Sequence, residues 1–328
     1  MSQEEIREYV LKTGNLTKSY GKHKAVNAVN MHVRKGDIYG FIGRNGAGKS
    51  TFMKMVAGLA APTEGEIELF GSRDVEKQRV RVGTLIETPG LYQGMTAADN
   101  LEVYRRAYGI TNRNIVRDVL ELTGLEDTDR KKVGKFSMGM KQRLGIAIAL
   151  LRSPDLLILD EPINGLDPMG IHEIREFLTV LNREKNVTMI ISSHILGELS
   201  KIATAYGIIR DGELVEEFDA QELAVRCRRC QKLVVDNVER AVNVLEEELL
   251  IKEYDVLEKS VIRIFEHLED TAKINQSLLA AGIEIKESYL AGQDLEGYFM
   301  ELIGNDRSAD VVKNSSTLIN VKERYDVS

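Results

Sequence analysis

The chain has 328 residues, with 44 lysines and arginines against 51 aspartates and glutamates, so its formal net charge is −7. This acidic balance argues against a mainly electrostatic partnership with nucleic acid or anionic lipid. The segment from Met1 to Tyr9 is acidic and polar, unlike a signal peptide, and no apolar run approaches the ~18 residues of a membrane span. We therefore expect no nucleic acid partner and no direct membrane insertion.

Short apolar runs alternate with amphipathic stretches in the first two thirds of the chain. They predict strands at 37–42, 66–70, 82–87, 155–159 and 187–192, and helices at 49–59, 96–108, 114–123, 138–152 and from Pro168 onward. The last two strands are almost wholly apolar, which is typical of strands covered on both faces. The pattern predicts an α/β domain over residues 1–220, with a mostly parallel sheet and a helical insertion over about 91–151. A hairpin at Asp211-Gly212 closes this domain.

The composition changes after about residue 219. Predicted strands at 232–235, 251–256, 260–265 and 283–288 alternate with helices at 238–248 and 270–281 in the order β-α-β-β-α-β, a split βαβ arrangement. A further helix is predicted at 294–303. We expect a small accessory α+β domain over 221–304, with a packing, dimerisation or regulatory role because it lacks a catalytic constellation. Residues 305–328 are polar and are expected to form a mobile tail.

The two cysteines are spaced as Cys227-Arg-Arg-Cys230. One such pair supplies half of a tetrahedral zinc site, and the sequence offers no second pair or histidine cluster to complete it. We expect two reduced thiols on a linker in a reducing compartment, with a zinc or redox site as the alternative.

A glycine-rich stretch between a predicted strand and a predicted helix matches G-x-x-x-x-G-K-[ST]. Its residues are Gly43, Arg44, Asn45, Gly46, Ala47, Gly48, Lys49, Ser50 and Thr51. Such glycines let successive backbone N–H groups turn around a polyphosphate, and the following helix adds its positive N-terminal dipole. The lysine can reach the β- and γ-phosphates, and the serine hydroxyl can ligate Mg²⁺. The stretch predicts a P-loop NTPase that binds a nucleoside triphosphate with Mg²⁺.

Two carboxylates end the apolar strand Leu156-Leu157-Ile158-Leu159. Asp160 suits the second Mg²⁺-side position of a P-loop enzyme, and Glu161 suits a general base that polarises the attacking water. His194 follows the strand that ends in Ser192-Ser193, where its imidazole can hydrogen-bond the γ-phosphate. With the phosphate loop, these three side chains predict hydrolysis as well as binding.

The chain now resembles the ATP-binding subunits of ABC transporters over about residues 14–218. The family's signature stretch is matched at residues 136–142 as Phe-Ser-Met-Gly-Met-Lys-Gln, with Met138 in place of the first glycine of the usual pair. The resemblance implies that Ser137 and Gly139 contact the nucleotide of the opposite subunit. It also implies that Asp167, in Asn-Gly-Leu-Asp, belongs to the loop between subunits, and that Tyr20 stacks on adenine.

From the same resemblance we expect a homodimer that holds two Mg-ATP and drives a separate membrane permease. The chain is then a peripheral protein at the cytoplasmic face of the cell membrane. An ABC-type ATPase acting on ribosomes or nucleic acid is the alternative, but such proteins usually have two ATP modules, coiled-coil insertions, zinc sites or a basic surface. An inactive regulator is expected to have lost Lys49 or Glu161, and both are present.

One position departs from the family pattern. The family normally has a glutamine after the strand at 82–86, where it touches Mg²⁺ and the attacking water, and this chain has Glu87. A carboxylate can still ligate Mg²⁺ but adds negative charge beside the γ-phosphate. Residues 86–89, Ile-Glu-Thr-Pro, together with the signature stretch, are similar to the bacitracin and lantibiotic resistance branch. That likeness implies export of an antimicrobial peptide or drug, with the permease docked near residues 87–95.

Overall fold

The computed structural model describes residues 8–128, 130–194, 196–258, 260–292, 297–299 and 302. Its strands are β1 Tyr9–Tyr20, β2 His23–Val29, β3 His32–Arg34, β4 Ile38–Ile42, β5 Glu64–Leu69, β6 Val82–Leu85, β7 Leu156–Asp160, β8 Thr188–Ser193, β9 Ala205–Arg210, β10 Glu213–Asp219, β11 Cys230–Val235, β12 Tyr254–Glu258, β13 Val261–Ile264 and β14 Ile285–Ala291. Its α-helices are α1 Lys49–Val56, α2 Val75–Gln78, α3 Ala97–Ala107, α4 Ile115–Leu122, α5 Met138–Leu150, α6 Pro168–Lys185, α7 Leu196–Leu199, α8 Ala220–Arg226, α9 Val238–Asn243 and α10 Thr271–Ala280.

A six-stranded sheet in the order β10-β9-β4-β8-β7-β6 forms the centre of the molecule. All neighbouring pairs are parallel except the β9–β10 hairpin, which turns at Asp211-Gly212 as predicted. Both faces are buried, because Leu157 and Leu159 of β7 pack into one hydrophobic core and Leu156 and Ile158 into another. The predicted, mostly parallel α/β sheet is confirmed, and its wholly apolar strands are those buried on both faces.

A second sheet precedes and flanks the first. β1 pairs with β2, β3 and β5, and each of these pairings is antiparallel. The sequence prediction found β5 but grouped it with the strands of the parallel sheet, and this grouping is wrong. Residues such as Val10, Leu16 and Val26 bury their side chains in the core that also covers one face of the parallel sheet, which fixes the second sheet beside it.

The predicted helical insertion consists of α3, α4 and α5. Thr96 begins α3 with a capping box, in which its hydroxyl accepts from the N–H of Asp99 and its own N–H donates to the Asp99 carboxylate. Ser137 caps α5, accepting from the N–H of Met140 at 3.2 Å. The second half of α5 is buried around its circumference, from Leu144 to Leu150, because it packs between the insertion and the parallel sheet.

The C-terminal part has the predicted order β-α-β-β-α-β. Its four-stranded sheet runs β12-β13-β11-β14, with all pairs antiparallel, and has its own hydrophobic core. β12 and β14 begin two to three residues later than predicted, and α9 continues as a π-helical turn, Val244–Glu248. Of the helix predicted at 294–303, only 297–299 and 302 are described, and these four are helical. The predicted tail at 305–328 lies outside the described residues.

Residues that precede and follow this sheet in the sequence pack into the core of the first domain. Leu223 of α8 is buried there, as is Phe299, which contacts Tyr206 and Phe218 at ring-centroid distances of 5.8 and 6.3 Å. Cys227 follows α8, and Cys230 is the first residue of β11, with 3% of its surface exposed; neither cysteine forms a disulfide bond. The prediction that both cysteines lie on a linker is therefore wrong for Cys230.

Candidate functional site

Four parallel strands end at one edge of the sheet, and most of the predicted site residues follow directly from them. Ile42, the last residue of β4, is opposite Ser193 of β8, and Asp160 of β7 is opposite Ser192. Leu85 of β6 is opposite Leu159. Carboxyl ends of parallel strands are where α/β sheets bind ligands. The phosphate loop, Asp160, Glu161, His194 and Glu87 therefore come together at this edge.

The loop between β4 and α1 lies against the β9–β10 turn and the beginning of β2. Gly48 has φ 109°, and a Cβ there would lie 2.4 Å from the carbonyl oxygen of Ala25. A Cβ on Gly43 would lie 2.5 Å from the carbonyl oxygen of Ile209. Both positions therefore require glycine. The N–H of Gly212 donates to the carbonyl of Ala47 at 3.0 Å, which supports the loop from behind.

The exposed side of this loop contains Arg44, Asn45 and Gly46, whereas Ala47, Gly48 and Lys49 are buried. Ser50 and Thr51 are half-buried in the first turn of α1. Lys49 is 6% exposed, and its ammonium donates to the carbonyl oxygens of Gly43 at 2.7 Å and Arg44 at 3.3 Å. A buried cation and the N–H groups of the first helical turn, which have no carbonyl partner within the helix, form a cradle whose charge suits phosphate groups.

Ser192 joins the two carboxylate residues at the end of β7. Its hydroxyl donates to Asp160 Oδ1 at 2.5 Å and accepts from the backbone N–H of Glu161 at 2.9 Å. Asp160 is 7% exposed, so this hydrogen bond fixes a largely buried carboxylate. The backbone turns sharply here, because Glu161 has φ 51°. That turn directs the Glu161 side chain out of the strand and toward the loop.

Glu161 lies between Lys49 and His194, the two side chains that are predicted to contact the triphosphate. One of its carboxylate oxygens is 3.7 Å from the Lys49 ammonium, and the other contacts Nδ1 of His194. Its side chain is 20% exposed, and that of His194 is 41% exposed. The structure therefore brings a carboxylate, an imidazole and an ammonium to one point, where the carboxylate can accept a proton from water.

Glu87 is the second residue of the loop after β6 and has φ 63°. Its carboxylate is 2.5 Å from the ammonium of Lys54 in α1. The hydrogen bond from Lys54 to Glu87 is the largest cause that raises the pKa of Lys54 above its ordinary value, and the charges of Tyr20 and Asp160 add to it. The Lys54 ammonium therefore keeps its proton at neutral pH.

The remaining predicted residues lie apart from this edge. Tyr20 is 54% exposed at the β1–β2 hairpin, with the Lys18 ammonium 5.1 Å from its ring centroid. Ser137 and Gly139 are at the start of α5, where a Cβ on Gly139 would lie 3.8 Å from the Leu166 side chain. Asp167 caps α6, accepting from the N–H of Gly170 at 3.0 Å. Asp167 thus has a structural role in capping, whatever else it contacts.

The donor set fits a magnesium nucleotide. Ser50, Asp160 and Glu87 offer a hydroxyl and carboxylate oxygens near the cradle, which are ligands that Mg²⁺ accepts. Among the described residues, no group of three or more His, Cys, Asp or Glu side chains could hold a metal ion by itself. Mg²⁺ is commonly bound by one or two protein ligands together with substrate phosphates, so this sparse set matches a metal that arrives with a triphosphate.

Two residues of this site were missed by the sequence analysis. Ser192 is a buried polar residue that follows the apolar run Met189-Ile190-Ile191, which was a signal that it has a partner. Lys54 follows Ser50 by four residues, so the two share one face of α1. Both signals were in the sequence, but their partners depend on strand register and on the path of the loop after β6.

Within the part of the chain that the structure describes, no helix is both long and apolar enough to cross a membrane.

A family model described as ABC transporter matches residues 26–164. The chain is 44% identical over 298 residues to the bacitracin transport ATP-binding protein BcrA of Bacillus licheniformis, covering 90% of this chain and 97% of that protein. It is 46% identical over 216 residues to the lantibiotic transport ATP-binding protein SrtF of Streptococcus pyogenes, covering 65% and 93%.

Solved structures with the same fold are also ATP-binding cassettes or subunits of ABC transporters. One is a dimeric ATP-binding cassette in a post-hydrolysis state with ADP and Pi, at a TM-score of 0.58 and 26% identity, covering 64% of this chain and 98% of that one. Another is cbiO1 from Clostridium perfringens, part of the ABC transporter complex cbiONQ, at a TM-score of 0.60 and 26% identity, covering 74% and 97%. These matches confirm the resemblance predicted from the sequence.

Proposed function

Because this chain belongs to the ABC transporter family, as an ATP-binding subunit that hydrolyses ATP to power transport, we propose that its cargo is an antimicrobial peptide or drug. The cargo leaves the cell through a separate membrane permease, which a homodimer of this chain drives from the cytoplasmic face. Support for the cargo comes from the bacitracin transport relative, which aligns over nearly its whole length. Both relatives are named as transport proteins, which argues against the alternative that this chain is an ATPase acting on ribosomes or nucleic acid.

The observation that supports the catalytic roles is the convergence of four strand ends on one buried cradle. In the proposed roles, the backbone of residues 43–51 and the Lys49 ammonium bind the phosphates. Ser50, Asp160 and Glu87 hold Mg²⁺, which when bound neutralises phosphate charge. Glu161 accepts the proton of the attacking water, and its contact with His194 orients it.

The predicted residues that lie apart from the sheet edge complete the nucleotide site. Tyr20 offers an exposed aromatic face for adenine stacking. Ser137 and Gly139 lie at the N-terminus of a 13-residue helix, α5, whose dipole favours a nearby anion. We assign these two residues to the nucleotide held by the partner subunit, and Asp167 to the contact between subunits. Each site is then incomplete in a monomer, so hydrolysis requires the dimer.

The permease is proposed to dock on the insertion side of the loop after β6. Tyr92 and Met95 are 48% and 37% exposed there. Tyr92, Tyr104 and Tyr108 form a row with ring-centroid distances of 6.5 and 6.0 Å. Exposed aromatic rings are enriched where protein surfaces meet. The loop that bears Glu87 continues into this row, which links the metal side of the site to the docking surface.

The substitution Glu161→Gln tests the proposal. It removes the proton acceptor but keeps the side-chain shape, so we expect ATP turnover to fall by about 10²–10⁴-fold. ATP binding is expected to be retained, and light scattering during size-exclusion chromatography is expected to detect an ATP-dependent dimer. Glu184→Gln, on the exposed side of α6, is the matched control and leaves turnover unchanged. Unchanged hydrolysis in Glu161→Gln would contradict the general-base assignment.

The cargo is tested separately in a susceptible cell that expresses the chain with its own permease. We expect the inhibitory concentration of bacitracin or a lantibiotic to rise with the wild-type chain and to return to the background level with Glu161→Gln. If neither peptide is resisted while ATP turnover is normal, the cargo assignment is wrong and the ATPase assignment stands.

A further inference from the structure

Glu87 is one of the proposed Mg²⁺ ligands, and its ion-pair partner Lys54 has no part in the roles assigned above. Lys54 is in the second turn of α1, and Glu87 is the second residue after β6. Their charged atoms are 2.5 Å apart, and the side chains are 32% and 63% exposed, respectively. This contact holds the beginning of the loop after β6 to the helix that follows the phosphate loop.

The position of Lys54 on α1 determines where the Glu87 carboxylate is held relative to the nucleotide site. Ser50 and Lys54 are four residues apart, so they lie on one face of the helix, about 6 Å apart along its axis. Ser50 faces the proposed metal. Lys54 therefore holds the Glu87 carboxylate one helical turn beyond Ser50, beside the phosphate end of the site.

The charges around this point show why such a contact matters. Asp160, Glu161 and Glu87 add three negative charges near the position of a triphosphate, which is itself strongly anionic. Lys49 already interacts with Glu161 and with the loop carbonyls. An uncompensated carboxylate at position 87 would repel the nucleotide over a distance at which screening is incomplete. Lys54 is the cation in contact with that carboxylate.

We propose that Lys54 is a positioning residue for Glu87: its ammonium cancels the charge of a carboxylate that would otherwise oppose ATP, and it fastens the loop of residues 86–95 to α1. This inference rests on the proposed function, because it assumes that the triphosphate binds in the cradle. It explains how the chain accommodates glutamate at this position. It also makes the ion pair a link between the nucleotide-binding helix and the proposed docking surface.

A double-mutant cycle tests the charge role. The chains are wild type, Lys54→Met, Glu87→Gln and the double variant, and the measurement is the Kd of ATP by calorimetry in excess EDTA, where metal and hydrolysis do not contribute. We expect Lys54→Met to weaken ATP binding by about three- to tenfold, because the Glu87 charge is then unopposed. The double variant should return to within about twofold of wild type, since both charges are gone.

Two further variants separate this role from an ordinary surface ion pair. Lys54→Arg keeps the charge and is expected to bind ATP like wild type. Lys77→Met breaks a lysine–carboxylate pair with the same 2.5 Å distance, to Asp74, away from the site. It is expected to leave the ATP affinity unchanged, because exposed pairs contribute little by themselves.

Hydrogen exchange of the nucleotide-free chains tests the positional role. Peptides covering residues 86–95 should exchange faster in Lys54→Met and in Glu87→Gln than in wild type, whereas Lys77→Met should leave them unchanged. Unchanged exchange in these peptides, or additive effects of the two substitutions on the ATP Kd, would overturn the inference. If wild type fails to bind ATP even when Mg²⁺ is present, the proposed function fails instead, so the two outcomes are distinct.

Discussion

The hydroxyl of Ser192 makes two hydrogen bonds at the point where β7 ends. It donates to the largely buried Asp160 carboxylate and accepts from the N–H of Glu161, so one small side chain orients both proposed catalytic carboxylate residues. Ser192 is fully buried, and no bulk water is at hand to replace it. The orientation of Asp160 and Glu161 in the site therefore depends on this serine as well as on the carboxylates themselves.

Ser192→Ala is expected to cost about 1–3 kcal/mol of unfolding free energy, because it leaves a buried carboxylate oxygen and a backbone N–H without this partner. It is also expected to lower ATP turnover by about tenfold or more, since Glu161 is no longer held in place. Urea unfolding and steady-state hydrolysis measure the two effects. Ser200→Ala, which removes a hydroxyl bonded within its own helical turn, should change neither. Equal effects in the two variants would refute the role of Ser192.

At the residue scale, the sequence predicted those functional residues that form motifs of consecutive positions. The loop from Gly43 to Thr51 and the Asp160-Glu161 pair are each read from neighbouring letters, and the strand ends then bring them together. Ser192 and Lys54 were missed because their partners are 32 and 33 residues away. Their roles follow from the β7–β8 register and from the turn at Glu87, which no local pattern specifies.

At the scale of elements, β4 and β9 pack more closely than their apolar sequences suggest. Tyr39 of β4 is fully buried, and its hydroxyl donates to Glu217 of β10 at 2.8 Å. Burial, followed by the Glu217 charge, raises the pKa of Tyr39 well above 10, so the hydroxyl keeps its proton. A Cβ on Gly207 of β9 would lie 2.0 Å from that hydroxyl oxygen. The glycine thus provides space for a buried hydrogen bond.

Gly207→Ala is expected to destabilise the chain by about 1–3 kcal/mol, because the methyl group displaces the Tyr39 ring. Tyr39→Phe removes the closest atom, so the double variant should recover part of the loss and the two effects should not add. Urea midpoints followed by far-UV circular dichroism measure both. Gly94→Ala, where no atom lies within 4 Å of the added methyl group, should stay within about 0.5 kcal/mol of wild type. Strict additivity would show that the two residues do not meet.

Elements with strong local periodicity were predicted well, including the parallel strands, the three insertion helices and the β-α-β-β-α-β order. The N-terminal antiparallel sheet was not. The burial pattern of β1 does not alternate, and its registers with β2, β3 and β5 are each interrupted. Its partner β5 is about 50 residues away in the chain. Such irregular, non-local pairing leaves little trace in a single window of sequence.

At the scale of the whole molecule, Phe299 joins the end of the described chain to the core of the ATP-binding domain. It is fully buried against Tyr206 and Phe218, and the carbonyl of Leu302 accepts from Arg210 at 3.0 Å. Leu223 packs into the same core before the accessory sheet begins. The accessory sheet is therefore attached to the ATP-binding core at both ends, although the division at residue 220 itself stays a prediction.

Phe299→Ala is expected to lower the unfolding free energy by about 3–5 kcal/mol, since it leaves a cavity among buried aromatic rings. Tyr289→Ala removes an aromatic ring that is 46% exposed on the accessory sheet, and it should change stability by no more than about 0.5 kcal/mol. The chain has no tryptophan, so circular dichroism in urea is the measurement. Similar small effects in both variants would show that Phe299 is not part of the core.

The burial of Phe299 also sets the order of events on the ribosome. Phe218 and Phe299 are 81 positions apart in the sequence, and at about 5–20 residues per second their synthesis is separated by roughly 4 to 16 s. During that interval the parallel sheet is already complete, but the faces of Tyr206 and Phe218 that Phe299 covers lie open. The nascent ATP-binding domain thus presents an aromatic patch to chaperones, and to other nascent chains, until Phe299 has been made.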